Sequence, residues 1–202
     1  MTLKTRVKVS HVTNLHDARF CAGMGVEIIG VPIDPQKEGF LSKEVFGEIT
    51  GWLSGLKYAG EVEQIEQLEL HHYQVDFMET SNLSIIEELT RFNLPIILHL
   101  EFDKLSADEL EKTLSLYNGV VSLFVLESQQ SWQKHTAFLS NLSEKYKILL
   151  DFKMEASSVV ELLEAVKPEG LSLKPGKELK VGVNDFDELA DVLEALDTDE
   201  FA

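Results

Sequence analysis

Residues 7–34 read VKVSHVTNLHDARFCAGMGVEIIGVPID, and the order of residue types within this stretch decides the fold. Residues 7–10 are a short run with β-branched side chains that ends on the small polar Ser10. Thr13 and Asn14 supply N-cap chemistry, and residues 15–24 run at helical spacing. Gly25 can end that helix without a steric penalty, after which residues 26–31 turn β-branched and apolar again. A strand, a helix and a second strand in so short a stretch form one βαβ unit, with a parallel pair and a right-handed crossover.

Outward from this unit the pattern repeats. After a loop broken by Pro35 and Gly39, Ser42 caps a helix over 43–53, and residues 57–62 read as a weak strand. Residues 63–70 lack apolar periodicity, so a short helix or turn is expected where a full third helix would sit. Strands are then expected over 74–78, 94–102, 120–127, 147–152 and 171–173. Helices are expected over 83–92, from Ser106 through Leu110, Leu114 and Tyr117, and over 132–142, 157–166 and 186–196. Eight alternating units without a glycine-rich dinucleotide turn favour closure over an open sheet. The expected fold is therefore α/β, a single-domain (β/α)8 TIM barrel over residues 1–202 with a reduced third helix and a frayed acidic tail at 197–202.

The 202 residues suit one domain, and the formal charge of −17 disfavours nucleic acid and anionic membranes as partners. No apolar run is long enough to span a bilayer, and residues 1–10 lack a signal-peptide core, so a cytoplasmic location is expected. The single cysteine, Cys21, excludes an internal disulfide framework and a cysteine metal cluster; on a helix it reads as a buried small hydrophobe. Trp52 and Trp132 fall on helical patterns and read as packing against the outside of the barrel, and the adjacent His71 and His72 should point apart at the surface. No cofactor and no metal site is expected, and the oligomeric state stays open.

The opening stretch also resembles that of the phosphoribosylanthranilate isomerase family, whose pattern runs roughly K-I-C-G-I-T-N-x-x-D-A and then G-A-D-x-x-G. Lys8, Val12, Thr13, Asn14, Asp17, Ala18, Gly25 and Gly30 stand in matching places. Gly182 and Asp185 echo a P-G-x-K-D segment near the other end. The resemblance implies a barrel and an Amadori rearrangement of an aminoaldose phosphate to an aminoketose phosphate in tryptophan biosynthesis. That reaction needs an acid at the sugar ring oxygen and a base at C2.

At the site the chain departs from the pattern. Ser10 stands where the family's catalytic Cys resembles a base, and His11 replaces the next Gly. Glu127, in Val125-Leu126-Glu127-Ser128, stands where an Asp resembles the acid. An alcohol, unlike a thiol, does not ionise near neutral pH. The family's phosphate grip falls on Phe152-Lys153 and on Lys174-Pro175-Gly176, where lysine charge (Lys153, Lys174, Lys177) could replace backbone amides around Gly176. Gly39 lies where the family carries a substrate-contacting Arg. Other polar groups expected at the strand ends are His11, Asp34, Glu79, His99 and Asp151. His11, of opposite strand parity to Ser10, is not expected to reach across, whereas His99 or Glu79 could take a proton in place of the missing base. Three readings follow: a divergent isomerase-like protein with weakened or lost activity that binds a small molecule such as a sugar phosphate, a non-catalytic binding or interaction module, and an active isomerase using a replacement base.

Overall fold

A computed structural model of the chain describes residues 1–176, 178–180 and 183–198. Eight parallel strands close into a barrel in sequence order. They are β1 (Arg6–Val9), β2 (Ile28–Pro32), β3 (Lys57–Glu61), β4 (Phe77–Thr80), β5 (Ile96–Glu101), β6 (Val121–Ser131), β7 (Ile148–Lys153) and β8 (Gly170–Leu173). Closure is made by β1 on β8, with Arg6 opposite Gly170 and Val9 opposite Leu173. The expected barrel is thus observed.

The helices of the described residues are α1 (Leu15–Gly23), α2 (Lys43–Trp52), α3 (Ile86–Leu89), α4 (Ala107–Tyr117), α5 (Thr136–Lys145), α6 (Ala156–Val166) and α7 (Asp187–Ala195). Their starts follow local chemistry. The Asn14 side chain accepts from Asp17 N, Ser42 from Val45 N, and Ser106 forms a reciprocal capping box with Glu109. Between β3 and β4 there is only a single 3-10 turn, Leu70–His72, as the missing apolar periodicity implies. After β8 a two-stranded hairpin, β9 (Glu178–Lys180) and β10 (Val183–Asn184), precedes α7; local sequence gave no sign of it.

Several details differ from expectation. β4 starts at Phe77 rather than at residue 74, because Gln74 to Asp76 lead into the strand and Asp76 turns its carboxylate to Tyr58 N. The helix over 83–92 is a short α3 flanked by 3-10 turns. β6 runs to Ser131, four residues beyond Glu127, because Ser128 and Ser131 continue pairing with Phe152 and Lys153 of β7. Trp132 is buried as expected, but Trp52 is 68% exposed, with the Arg19 guanidinium 5.1 Å from its ring centre. The rings of His71 and His72 face one another at 3.8 Å instead of pointing apart. The start of the tail is tied down: Leu3 bridges Asp197, and Thr198 N donates to Thr2 O. No helix among the described residues is long and apolar enough to cross a membrane.

Alternation along the strands builds two cores. Outward residues pack under the helices, while Ile28, Ala59, Ile97, Leu123, Val125 and Leu149 fill the barrel interior below the mouth. Gly170 sits on the closing seam, where an added Cβ would collide with the backbone oxygen of Arg6. Gly170→Ala should therefore cost about 1–3 kcal/mol or more by overpacking. Gly47→Ala, in open space on α2, should instead stabilise by about 0.5–1 kcal/mol. Chemical denaturation of the two variants checks the pair.

Candidate functional site

Lys8 and Ser10 both project into the barrel, as their shared strand parity implies. Lys8 is fully buried; its Nζ lies 2.9 Å from Glu79 Oε1 and donates to Ser10 Oγ at 2.6 Å. Ser10 Oγ in turn lies 3.4 Å from Ser172 Oγ on β8. Glu79 Oε1 is 3.7 Å from His99 Nδ1, and His99 Nε2 is 2.9 Å from Glu127 Oε2. The latter contact is an ion pair without the alignment of a hydrogen bond. The other oxygen of Glu127 accepts from Lys174, whose Nζ also lies 3.7 Å from Asp151 Oδ2. Side chains from β1, β4, β5, β6, β7 and the residue after β8 thus form one chain of alternating charge across the mouth.

This alternation sets the protonation states. Burial alone would lower the His99 pKa, but the Glu127 and Glu79 carboxylates outweigh it and lift it to about 9. His99 holds Glu127 down to about 2, with Lys174 helping and burial opposing. Asp151 is pushed upward by burial, against the pull of Lys174. At neutral pH the centre of the mouth therefore holds an imidazolium beside an ionised Glu127.

A second cluster lies on the β2–β3 side. The Glu61 carboxylate is almost fully buried, yet its pKa is about 2, because the His11 contacts and the Lys8 and Lys37 charges overcome burial. His11 adopts φ 58°, its N–H donates to Glu61 Oε1 at 2.7 Å, and its ring lines the cavity. The left-handed turn at His11 breaks strand parity, and its side chain lies at the mouth. Lys37 lies 3.5 Å from Glu61 and 3.6 Å from Glu63. Asp34 is buried and accepts backbone N–H bonds from Gln36, Glu63 and Gln64, which makes it an anchor for two loops.

Both clusters border a cavity of about 570 Å³. Ser10, His11, Glu79, His99, Lys174 and Gly176 line it among the expected site residues, while Asp34, Glu127, Asp151 and Lys153 do not. Lys177 and Gly182 lie outside the described residues. Gly176 backs onto the chain itself, since a Cβ there would collide with Asp185 O. His99, Glu127 and Asp151 offer ligand atoms within 4.8 Å of one another, a spacing that suits a metal ion, but the Lys174 ammonium already engages both carboxylates. Sequence reasoning missed the roles of Lys37, Ser172 and Asn184. Lys37 sits in the loop after β2 and Asn184 in β10, where it lines the cavity and donates to Asp17 Oδ2, placements that no local pattern reveals, whereas Ser172 shares the inward parity of Lys174 and could have been found.

No family model matches the chain. It is similar to the N-(5'-phosphoribosyl)anthranilate isomerase of Aquifex aeolicus (strain VF5), with 27% identity over 90% of this chain and 93% of the relative. Among solved structures, the phosphoribosyl anthranilate isomerase of Thermotoga maritima superposes with a TM-score of 0.77 at 17% identity, covering 95% of this chain and 98% of the other. A phosphoribosyl anthranilate isomerase in complex with reduced 1-(o-carboxyphenylamino)-1-deoxyribulose 5-phosphate gives 0.74 at 18% identity, with the same coverage. The enzyme from Pyrococcus furiosus gives 0.73 at 16% identity, again over 95% and 98%. At such identities the structural likeness speaks for the fold.

Two predictions follow from the charged chain. Because the His99 pKa rises from 6.5 to about 9 on folding, its stabilisation is complete below pH 6.5 and is lost as pH rises through about 9. Glu127, lowered from 4.5 to about 2, stabilises above pH 4.5 and loses that effect as pH falls toward 2. NMR titration of His99 should show a midpoint near 9, moving down in Glu127→Gln. Lys8→Ala should cost about 3–5 kcal/mol by taking from buried Glu79 the nearer of its two cations, and Lys8→Met combined with Glu79→Leu should recover most of that loss in urea unfolding.

Proposed function

Taking this chain as a divergent relative of the phosphoribosylanthranilate isomerases, we propose that it keeps their barrel as a scaffold for binding a small polar ligand and has lost the Amadori rearrangement. The observation that carries this reading is the Lys8–Ser10 contact. An ammonium donates to Ser10 Oγ, and the other polar atom recorded beside it is the hydroxyl of Ser172. Among the described residues no carboxylate or imidazole hydrogen-bonds to this hydroxyl to take its proton, so it cannot act as the base at C2. Glu127 supports the same conclusion from the other side of the mouth, because a general acid must carry a proton and this carboxylate is ionised at neutral pH.

The phosphate grip also looks dismantled. Lys174 is engaged by Glu127 and Asp151, and Lys153 stands apart from the cavity lining. Pro175 has no N–H to offer, and the space beside Gly176 is filled by the Asp185 carbonyl. These facts support an altered ligand as well as an altered reaction.

A second reading draws on one specific feature. His99, protonated up to pH about 9, and ionised Glu127 are an acid and a base 2.9 Å apart, and could serve as a replacement pair. A coupled assay with N-(5'-phosphoribosyl)anthranilate separates the two. We expect no turnover above background from the unaltered protein. Turnover that drops on the order of a hundredfold or more in His99→Gln would establish the replacement pair instead, and the same drop in Ser10→Ala would restore Ser10 as a participant.

A further inference from the structure

The loop between β2 and α2 borders the mouth between two fixed posts. At one end the buried Asp34 carboxylate accepts from Gln36 N, Glu63 N and Gln64 N. At the other, buried Leu41 donates its N–H to Pro32 O, and its carbonyl accepts from the Tyr73 hydroxyl. Between the posts the backbone bonds stay local: Gln36 N donates to Asp34 Oδ1, Lys37 N to Asp34 O, and Phe40 N to Lys37 O. Among the described residues, no backbone hydrogen bond ties 35–40 to the strand ends, although Lys37, Glu38 and Gly39 all line the cavity.

Two side-chain features hold this span against the mouth. Lys37 Nζ lies 3.5 Å from Glu61 and 3.6 Å from Glu63, ion pairs longer than a direct N–H···O bond. Gly39, at φ 73°, sits so close to His11 that an added Cβ would stand 2.7 Å from its Nε2. Lys37 can also leave without stranding an anion. Glu61 would keep the His11 N–H at 2.7 Å and the nearby charge of Lys8, and Glu63 would keep both of its bonds from Ser81.

We propose that residues 35–40 form a strap that lifts about Asp34 and Leu41 to open the cavity, with Lys37 as its latch. Lifting breaks two long ion pairs and one packing contact while the turn bonds move with the strap, which is the small set of losses a local opening requires. The strap goes beyond the binding reading, because it governs access to the cavity whatever occupies it.

A thiol in the cavity wall reads this opening without any ligand. Ser10→Cys places one at a position 6% exposed and beside the Lys8 ammonium, where a thiol ionises readily. The native Cys21 is fully buried under the helices and reports opening of the whole barrel. Labelling of the full chain with N-ethylmaleimide, an uncharged reagent, is followed by mass spectrometry of the two cysteine peptides. The introduced thiol should react more slowly than free glutathione. Adding Lys37→Gln should speed it on the order of fivefold, the worth of a partly exposed ion-pair set. Gly39→Ala, which pushes the strap off His11 without changing any charge, should speed it as well. Cys21 should stay unlabelled in all three proteins. An introduced thiol that reacts as fast as glutathione in the parent overturns the proposal, as does a rate unchanged by either Lys37→Gln or Gly39→Ala. Labelling of Cys21 in step with the introduced thiol also overturns it, by assigning the opening to the whole barrel. No outcome of this labelling bears on the proposed loss of the Amadori rearrangement.

Discussion

An ammonium enclosed inside a barrel must be neutralised where it stands, and the 2.9 Å pair between Lys8 and Glu79 is the constraint from which the rest of the mouth follows. Lys8 stands opposite Ile28 in the register of β1 and β2, and its side chain is fully buried. The pair joins β1 to β4 across the barrel, strands that are not neighbours in the sheet. With Glu79 fixed, His99 has a carboxylate on one side; with Glu127 on the other, it is held as an imidazolium. Lys174 then closes the sequence after β8. Each charge is set by its neighbours, so the site behaves as a unit rather than as separate groups.

The same arrangement explains why replacing one residue type at the end of β1 has a large chemical consequence. A thiol beside the Lys8 ammonium would ionise more readily and could serve as a base. An alcohol in that place simply becomes one more hydrogen-bond partner, accepting from Lys8 and facing Ser172. Gly30 contributes as well: it leaves room for Glu61, whose carboxylate a Cβ at that position would strike. The barrel is closed around this rim, and these side chains set the kind of charge and hydrogen bond it presents inward.

Residue by residue, much of the site's membership could be read before any coordinates, because inward parity and strand ends pick out Ser10, Glu79, His99, Glu127, Asp151 and Lys174. Their connections could not. At His11 a positive φ overrides strand alternation, and its N–H donates to Glu61. Asp34 falls at a strand end like the others, but its oxygens are taken by backbone N–H groups from two loops, 2 to 30 residues away. Lys153 shares the inward parity of Asp151 but stands clear of the cavity lining.

By itself the amino-acid sequence determined the alternation of strands and helices, the helix caps at Asn14, Ser42 and Ser106, the missing helix after β3, and hence the closed barrel. Those features depend on side-chain periodicity and on bonds spanning a few residues, both of which are written locally. Tertiary structure alone decided which carboxylate each lysine meets, where β6 ends, how the hairpin after β8 forms, and which protonation states the mouth holds. Those outcomes depend on distances between residues far apart in the chain, and the Coulomb and desolvation energies that govern them vary steeply with separation and burial, neither of which any local pattern records.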